Sequence, residues 1–294
     1  MLYVVISRLQ FQHFLPAMRQ LYRSTFLAVL TLVLFYETAS GYIRVGPTAV
    51  YLSDRNRSGV ISIASVAPVP IDVRLDLFYG YITSDTLGSP MIFIDEHDTG
   101  NPKSCAPWIT INPKRFTLLP GESRAIRFIA RPPDGLQDGE YWSRLVIGVE
   151  ARKDLDDGEG KKSISASQQM NPKTVIPISY RKGECFADIK LTNVFVRPDS
   201  AEIHVDVEMM PMGNAAYIGN MSVVIRDQAK KELLSKKIEI AVFSTFRRRF
   251  SIPLPRMPKG RYATVITYDT DRPDMGANAL HVLPKTYTVE FQLR

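Results

Sequence analysis

An all-β protein of two sandwich domains is what this sequence predicts, on three observations. Apolar and polar residues alternate with period two, the alternating runs are short and punctuated by turn residues, and the second half echoes the first. The alternation is strictest at Ile71-Asp72-Val73-Arg74-Leu75-Asp76-Leu77. A strand with that pattern buries one face and wets the other. Similar short apolar runs fall at 49–52, 60–66, 91–94, 125–130 and 145–149, separated by turn-rich stretches at 53–59, 98–103 and 132–139. Short strands at this spacing indicate an antiparallel sandwich or barrel.

The second half is read the same way. Strands are expected at 187–196, 202–209, 221–226, 237–242, 248–252, 262–268 and 286–293, with one helical turn within 227–235. The echo lies in Gly139-Glu140-Tyr141 and Gly260-Arg261-Tyr262, each preceded by a proline-bearing bend and followed by an apolar strand. A tyrosine just ahead of a central sandwich strand fits a tyrosine corner, whose hydroxyl ties the turn to upstream backbone. The 294 residues suffice for two such domains. Their boundary is placed near Gly183-Glu184, giving domains at 42–183 and 184–294. Just before it, 152–173 reads as a long polar loop and 174–181 (TVIPISYR) as the last strand of the first domain. Proline donates no ladder hydrogen bond, so Pro177 places that strand at a sheet edge.

Residues 1–41 read as a targeting segment. Arg19 and Arg23 precede a dozen mostly apolar residues at 25–36, and Thr38-Ala39-Ser40-Gly41 supplies the small residues of a cleavage site. These are the parts of a secretory signal peptide, and Met18 is an alternative start with ordinary signal proportions. The other reading is an uncleaved N-terminal anchor. Either way the remainder lies outside the cytoplasm.

Composition narrows the function. Hydrophobic content of 45% and charged content of 23% are globular values. The formal charge of +7 is moderate and suits steering of an acidic partner, and nucleic acid is not expected as a partner. Cys105 and Cys185 are the two cysteines; they either bridge each other after export or sit as small buried side chains, and both readings stay open. Asp95-Glu96-His97-Asp98 reads as a solvated turn rather than a metal site. Phe246-Arg247-Arg248-Arg249-Phe250 reads as a core face beside a wet one. No Gly-x-Ser-x-Gly elbow, phosphate-binding glycine loop or paired histidine motif is present, so no catalytic residue, metal or cofactor is expected and the protein is not read as an enzyme.

One series of residues is more specific. Ala106-Pro107-Trp108, Asn112-Pro113, Leu119-Pro120-Gly121-Glu122, Ile126-Arg127, Arg131-Pro132 and Asp138-Gly139-Glu140-Tyr141 resemble the first domain of PapD-like periplasmic pilus (fimbrial) assembly chaperones. Residues 176–181 (IPISYR) and Gly213-Asn214, Tyr217 and Gly219 extend the resemblance. It implies a periplasmic boomerang of two immunoglobulin-like domains that caps secreted pilin-like subunits by lending an edge strand, then delivers them to an outer-membrane usher. Strand donation covers an open sheet edge that would otherwise aggregate. On this resemblance the lending strand carries Ile164, Ala166, Met170, Ile176 and Ile178. The family's carboxylate-gripping basic pair falls on Thr48 and Pro177, neither of them basic, which leaves Arg44, Lys173 and Arg181 as cleft candidates. A self-capping dimer of the free protein remains open. So does the alternative of a structural or adhesive immunoglobulin-like module of the cell envelope or a secretion apparatus.

Overall fold

The alternating run that begins at Ile71 sets the architecture of the first half. Ile71, Val73 and Leu75 are buried while Asp72 and Arg74 face water, and the strand continues well past the alternation, to Ser84. The computed structural model describes residues 42–97, 100–152, 173–254 and 257–293. The expected targeting segment and most of the 152–173 loop lie outside them. The described strands belong to a single compact unit, Tyr42–Arg294.

Ten strands form the first sandwich among the described residues: β1 (Ile43–Gly46), β2 (Val50–Ser53), β3 (Ser58–Ser65), β4 (Ile71–Ser84), β5 (Pro90–Asp95), β6 (Ile109–Asn112), β7 (Arg115–Leu118), β8 (Ser123–Ala130), β9 (Gly139–Ala151) and β10 (Lys173–Lys182). One sheet runs β1-β3-β8-β6; the other runs β2-β10-β9-β4-β5, with β7 also on β4. The first strand therefore changes sheets. β1 pairs antiparallel with β3, and after the Gly46–Pro47 bend β2 pairs parallel with β10 on the opposite sheet. The second sandwich holds β11 (Ile189–Pro198), β12 (Glu202–Pro211), β13 (Tyr217–Arg226), β14 (Glu232–Val242), β15 (Phe246–Pro253), β16 (Gly260–Asp269) and β17 (Lys285–Leu293). Its sheets run β11-β12-β15 and β14-β13-β16-β17. The protein is all-β, built of two immunoglobulin-like sandwiches. Its buried residues fall into two clusters, one from Val50 to Tyr180 and one from Ala187 to Tyr268.

Both tyrosine corners form. The Tyr141 hydroxyl donates to the Gln137 carbonyl at 2.9 Å, and the Tyr262 hydroxyl donates to the Pro258 carbonyl at 2.6 Å. The helical turn expected within 227–235 does not form. Asp227 instead accepts the Lys231 amide at 2.9 Å in a tight turn with Lys230 at φ 62°, and Glu232 opens β14, which finds its ladder on β13. Strands β1, β6 and β7 were not anticipated; at four residues each they carry too little alternation to show it.

The two sandwiches are tied by polar contacts at two places. Glu140, 1% exposed, accepts hydrogen bonds from Ser179 Oγ and from Arg181 Nε at 3.1 Å on one carboxylate oxygen, while the other takes the Ala216 amide at 2.8 Å. Arg181 also reaches the Asn278 carbonyl at 2.7 Å. Further out, the β4–β5 hairpin leans on β15: the Arg247 amide donates to Ser84 Oγ at 2.9 Å and the Arg249 amide to the Gly88 carbonyl at 3.3 Å. Between the sandwiches the chain turns at Gly183, whose φ of +54° lies in the left-handed region that favours glycine.

Removing Glu140 leaves the Arg181 guanidinium without its buried counter-charge. Glu140→Ala is expected to cost about 3 kcal/mol, measured as a shift in the chemical denaturation midpoint. Asp54 gives a pH signature. Hydrogen bonds from the Tyr180 hydroxyl and then from Lys182 lower its carboxyl from 3.8 to about 2. A depressed carboxyl stabilises the fold fully above its unfolded pKa, and that contribution fades as pH falls from about 4 towards about 2. Thermal melts of Asp54→Asn across this window are expected to show a flatter acid limb than the parent protein.

Candidate functional site

β10 is flanked unequally along its length. On one side its whole run from Lys173 to Lys182 pairs with β9. On the other, β2 covers only Ile178 to Arg181. The flank of Lys173–Pro177 faces no strand among the described residues. Pro177 sits where this open stretch ends, opposite Arg144 on β9 and one residue before the β2 ladder begins. Proline donates no ladder hydrogen bond, and Pro177 stands where β10 has a paired strand on one side only among the described residues.

Beside this flank, between the two sandwiches, lies a cavity of about 460 Å³. Thr48, Val50, Val175 and Pro177 line it from the first sandwich, and Ile218, Ile240 and Phe243 from the second. The charged groups in and around it sort into pairs, with two exceptions. Arg181 is bound to Glu140, and Arg272 lies 3.1 Å from Glu239 and 2.7 Å from Asp274. Arg144 and Arg248, which also line the cavity, have no ion-pair partner among the described residues. Arg144 is 3% exposed. Its guanidinium lies 5.3 Å from the Phe243 ring centre, and Gly80 leaves room for its stem: a Cβ there would come within 2.9 Å of Arg144 Cγ. Burial in apolar surroundings pulls its pKa from 12.5 down to about 10, so it remains a cation at neutral pH. Burial also lowers the pKa of Arg248.

The sequence-derived site residues fall unevenly around this cleft. Ile164, Ala166 and Met170 lie outside the described residues. Ile176 and Ile178 are 3% and 0% exposed and pack into the first core, so their side chains are committed there. Arg44 is exposed on β1 and is not part of the cavity lining. Lys173 is an exposed end of β10, 3.8 Å from Glu96. Arg181 lies nearby with two of its three nitrogens engaged, its guanidinium 5.5 Å from the Tyr51 ring. Thr48 and Pro177 both line the cavity without charge.

The two cysteines are free thiols, so the bridge entertained from the sequence is not formed. Cys105 is buried against Ser143 and the Ile178 carbonyl, while Cys185 points at the Lys182 carbonyl. Burial pushes the Cys105 thiol up to about 12 and keeps it protonated.

Sequence reasoning missed Glu140, Arg144 and Arg248. The first two sit in the run 140–149, which reads as one apolar strand; β9 is buried on both faces there, and two opposite charges inside such a run were the available signal. Arg248 lies in the Phe246–Phe250 cluster. Phe246 and Phe250 are core, as expected, and Arg247 and Arg249 pair outward with Glu208 and Asp206. Arg248 instead shares strand parity with the two phenylalanines.

No family model matches this sequence, and no curated protein matches it. Solved structures do. The chain is similar to the YadV chaperone at 11% identity, over 86% of this chain and 100% of that one, with a TM-score of 0.45. A chain of the CsuC–CsuE chaperone–tip adhesion subunit pre-assembly complex, from the archaic chaperone-usher Csu pili of Acinetobacter baumannii, matches at 11% identity over 85% and 98%, TM-score 0.42. The Pseudomonas aeruginosa CupB2 chaperone matches at 11% identity over 85% and 100%, TM-score 0.42.

Proposed function

We propose that this protein is a chaperone that caps secreted pilin-like subunits by strand addition along the open flank of β10, in the periplasm, and passes them to an outer-membrane usher. The observation that carries the reading is that the backbone of Lys173–Pro177 is uncovered on one side among the described residues, in a sheet whose next residues are covered by β2. An unpaired flank is a template for another strand, and main-chain hydrogen bonds supply affinity without a demanding sequence match. The cavity alongside offers apolar surface from both sandwiches to side chains of such a strand. The lending segment would continue N-terminally through Met170, Ala166 and Ile164. Nothing in this reading calls for a nucleotide or a catalytic group. A fixed envelope module would use the same edge for a permanent contact, without turnover of clients.

Adjacent residues of a strand direct their N–H groups to opposite sides. Of Thr174→Pro and Val175→Pro, one therefore removes a bond to β9 and the other removes a donor from the open flank. The first is expected to lower the melting temperature. The second is expected to leave it unchanged while co-purification of secreted subunits from the periplasm drops by roughly tenfold or more. Full recovery of subunits with the variant that melts normally would sink strand addition at this flank.

A further inference from the structure

We infer that the outward face of the β1-β3-β8-β6 sheet docks on an anionic lipid membrane. Arg44, Arg127 and Arg131 meet the headgroups, and Tyr42, Val60 and Ile129 enter the bilayer interface. The inference is independent of the strand-addition reading, because β10 belongs to the other sheet. Three observations lead to it.

The first is charge. On β8, Ile126 and Phe128 fill the core, so Arg127 and Ile129 point away from it, and on β3 Ile61 does the same for Val60. Tyr42 and Arg131 continue the outward parity one step beyond β1 and β8. The Tyr42 carbonyl accepts the Val66 amide at 3.0 Å, and the Arg131 amide donates to the Trp108 carbonyl at 2.8 Å. The outward positions of these four strands carry no Asp or Glu. Arg44, Arg127 and Arg131 are exposed and have no ion-pair partner among the described residues. By contrast Arg74, Arg197, Arg247 and Arg249, on the other sheets, each face an Asp or Glu. Positive charge left unmatched on one face draws that face to an anionic surface.

The second observation is spacing. Arg44 stands at the level of Ala64 and Arg127 at the level of Val60, on either side of β3. Two strand spacings and four residues of rise put them roughly 16 Å apart. One carboxylate or phosphate cannot bridge such cations, whereas a layer of headgroups meets them all. The third is apolar surface among the cations. Val60, directly opposite Arg127, is 50% exposed, and Ile129, two residues further on, is 38% exposed. A protein partner would require a continuous apolar centre to its interface, but here the apolar side chains stand singly beside arginines. That mixture suits a bilayer, where charge attracts and shallow burial holds. Tyr42 adds an amphipathic ring of the kind enriched at headgroup level. In the sequence only residues 37–41 separate Tyr42 from the apolar run 25–36, so a chain leaving a membrane through that run reaches this face first.

The test uses residues 42–294, a compact unit that holds both hydrophobic cores, so that the apolar run 25–36 does not itself bind lipid. Sedimentation with vesicles of phosphatidylcholine is compared with sedimentation with an equal mixture of phosphatidylcholine and phosphatidylglycerol. At low salt the anionic vesicles are expected to bind roughly tenfold or more tightly, and high salt is expected to erase that preference. Arg44→Gln, Arg127→Gln and Arg131→Gln are expected to weaken binding roughly fivefold each. A control carrying Arg74→Gln, Arg152→Gln and Arg197→Gln loses the same charge elsewhere and is expected to keep most of the binding. All six arginines are exposed, so both sets of variants are expected to melt with the parent protein. Equal binding to the two kinds of vesicle overturns the inference, and so do equal losses in the two triple variants. Binding to soluble polyglutamate without binding to anionic vesicles would also overturn it, and would give the face to an acidic protein instead.

Discussion

A single carboxylate organises the joint of this molecule. Glu140 is almost fully buried, yet it is saturated: a hydroxyl and a guanidinium from β10 and a backbone amide from the second sandwich all converge on it. A charge in such surroundings is tolerable only when its oxygens are satisfied. Its partners must therefore stay where they are, and these include both strands of the central pair and the segment leading into β13. The cavity next to it inherits its walls from that arrangement. So does the division of its cations into those already neutralised and those that are not.

The backbone accounts for the other half of the design. A sandwich closes its core with side chains but leaves the rims of its sheets to be managed separately. Here the first strand serves both sheets, β1 on one and β2 on the other, and so covers part of two rims with one short segment. What β2 fails to cover is bounded by Pro177 at one end and by the start of β10 at the other. Among the described residues this flank lies beside the apolar lining of the cavity.

Much of this was legible in the sequence. Strict alternation marked β4, turn clusters marked the hairpins, and the repeated Gly-x-Tyr marked two corners that form alike. Pro177 pointed to a strand at a sheet edge; the edge strand is β2 instead, and β10 lies between β2 and β9, open on one side only before Ile178 among the described residues. What stayed hidden depended on distant partners. The short strands β1, β6 and β7 are fixed by ladders to β3, β8 and β4, and nothing within four residues announces such pairing. The helical turn expected within 227–235 gave way because β13 offers β14 a ladder along its length. Arg144 was unreadable for the same reason. In the sequence it interrupts an apolar strand; only when Phe243 and Ile240 of the second domain fold over β9 does it become a buried cation facing a cavity.

The β4–β5 hairpin has a consequence for the thermodynamics of recognition. By bonding through Ser84 and Gly88 to the backbone of β15, it braces the sandwiches at a point distant from Glu140. A cleft fixed at two separate points is assembled before anything enters it. Two domains swinging on a lone linker would have to surrender that freedom on binding, and the loss would be subtracted from affinity. In this chain that loss has already been met during folding.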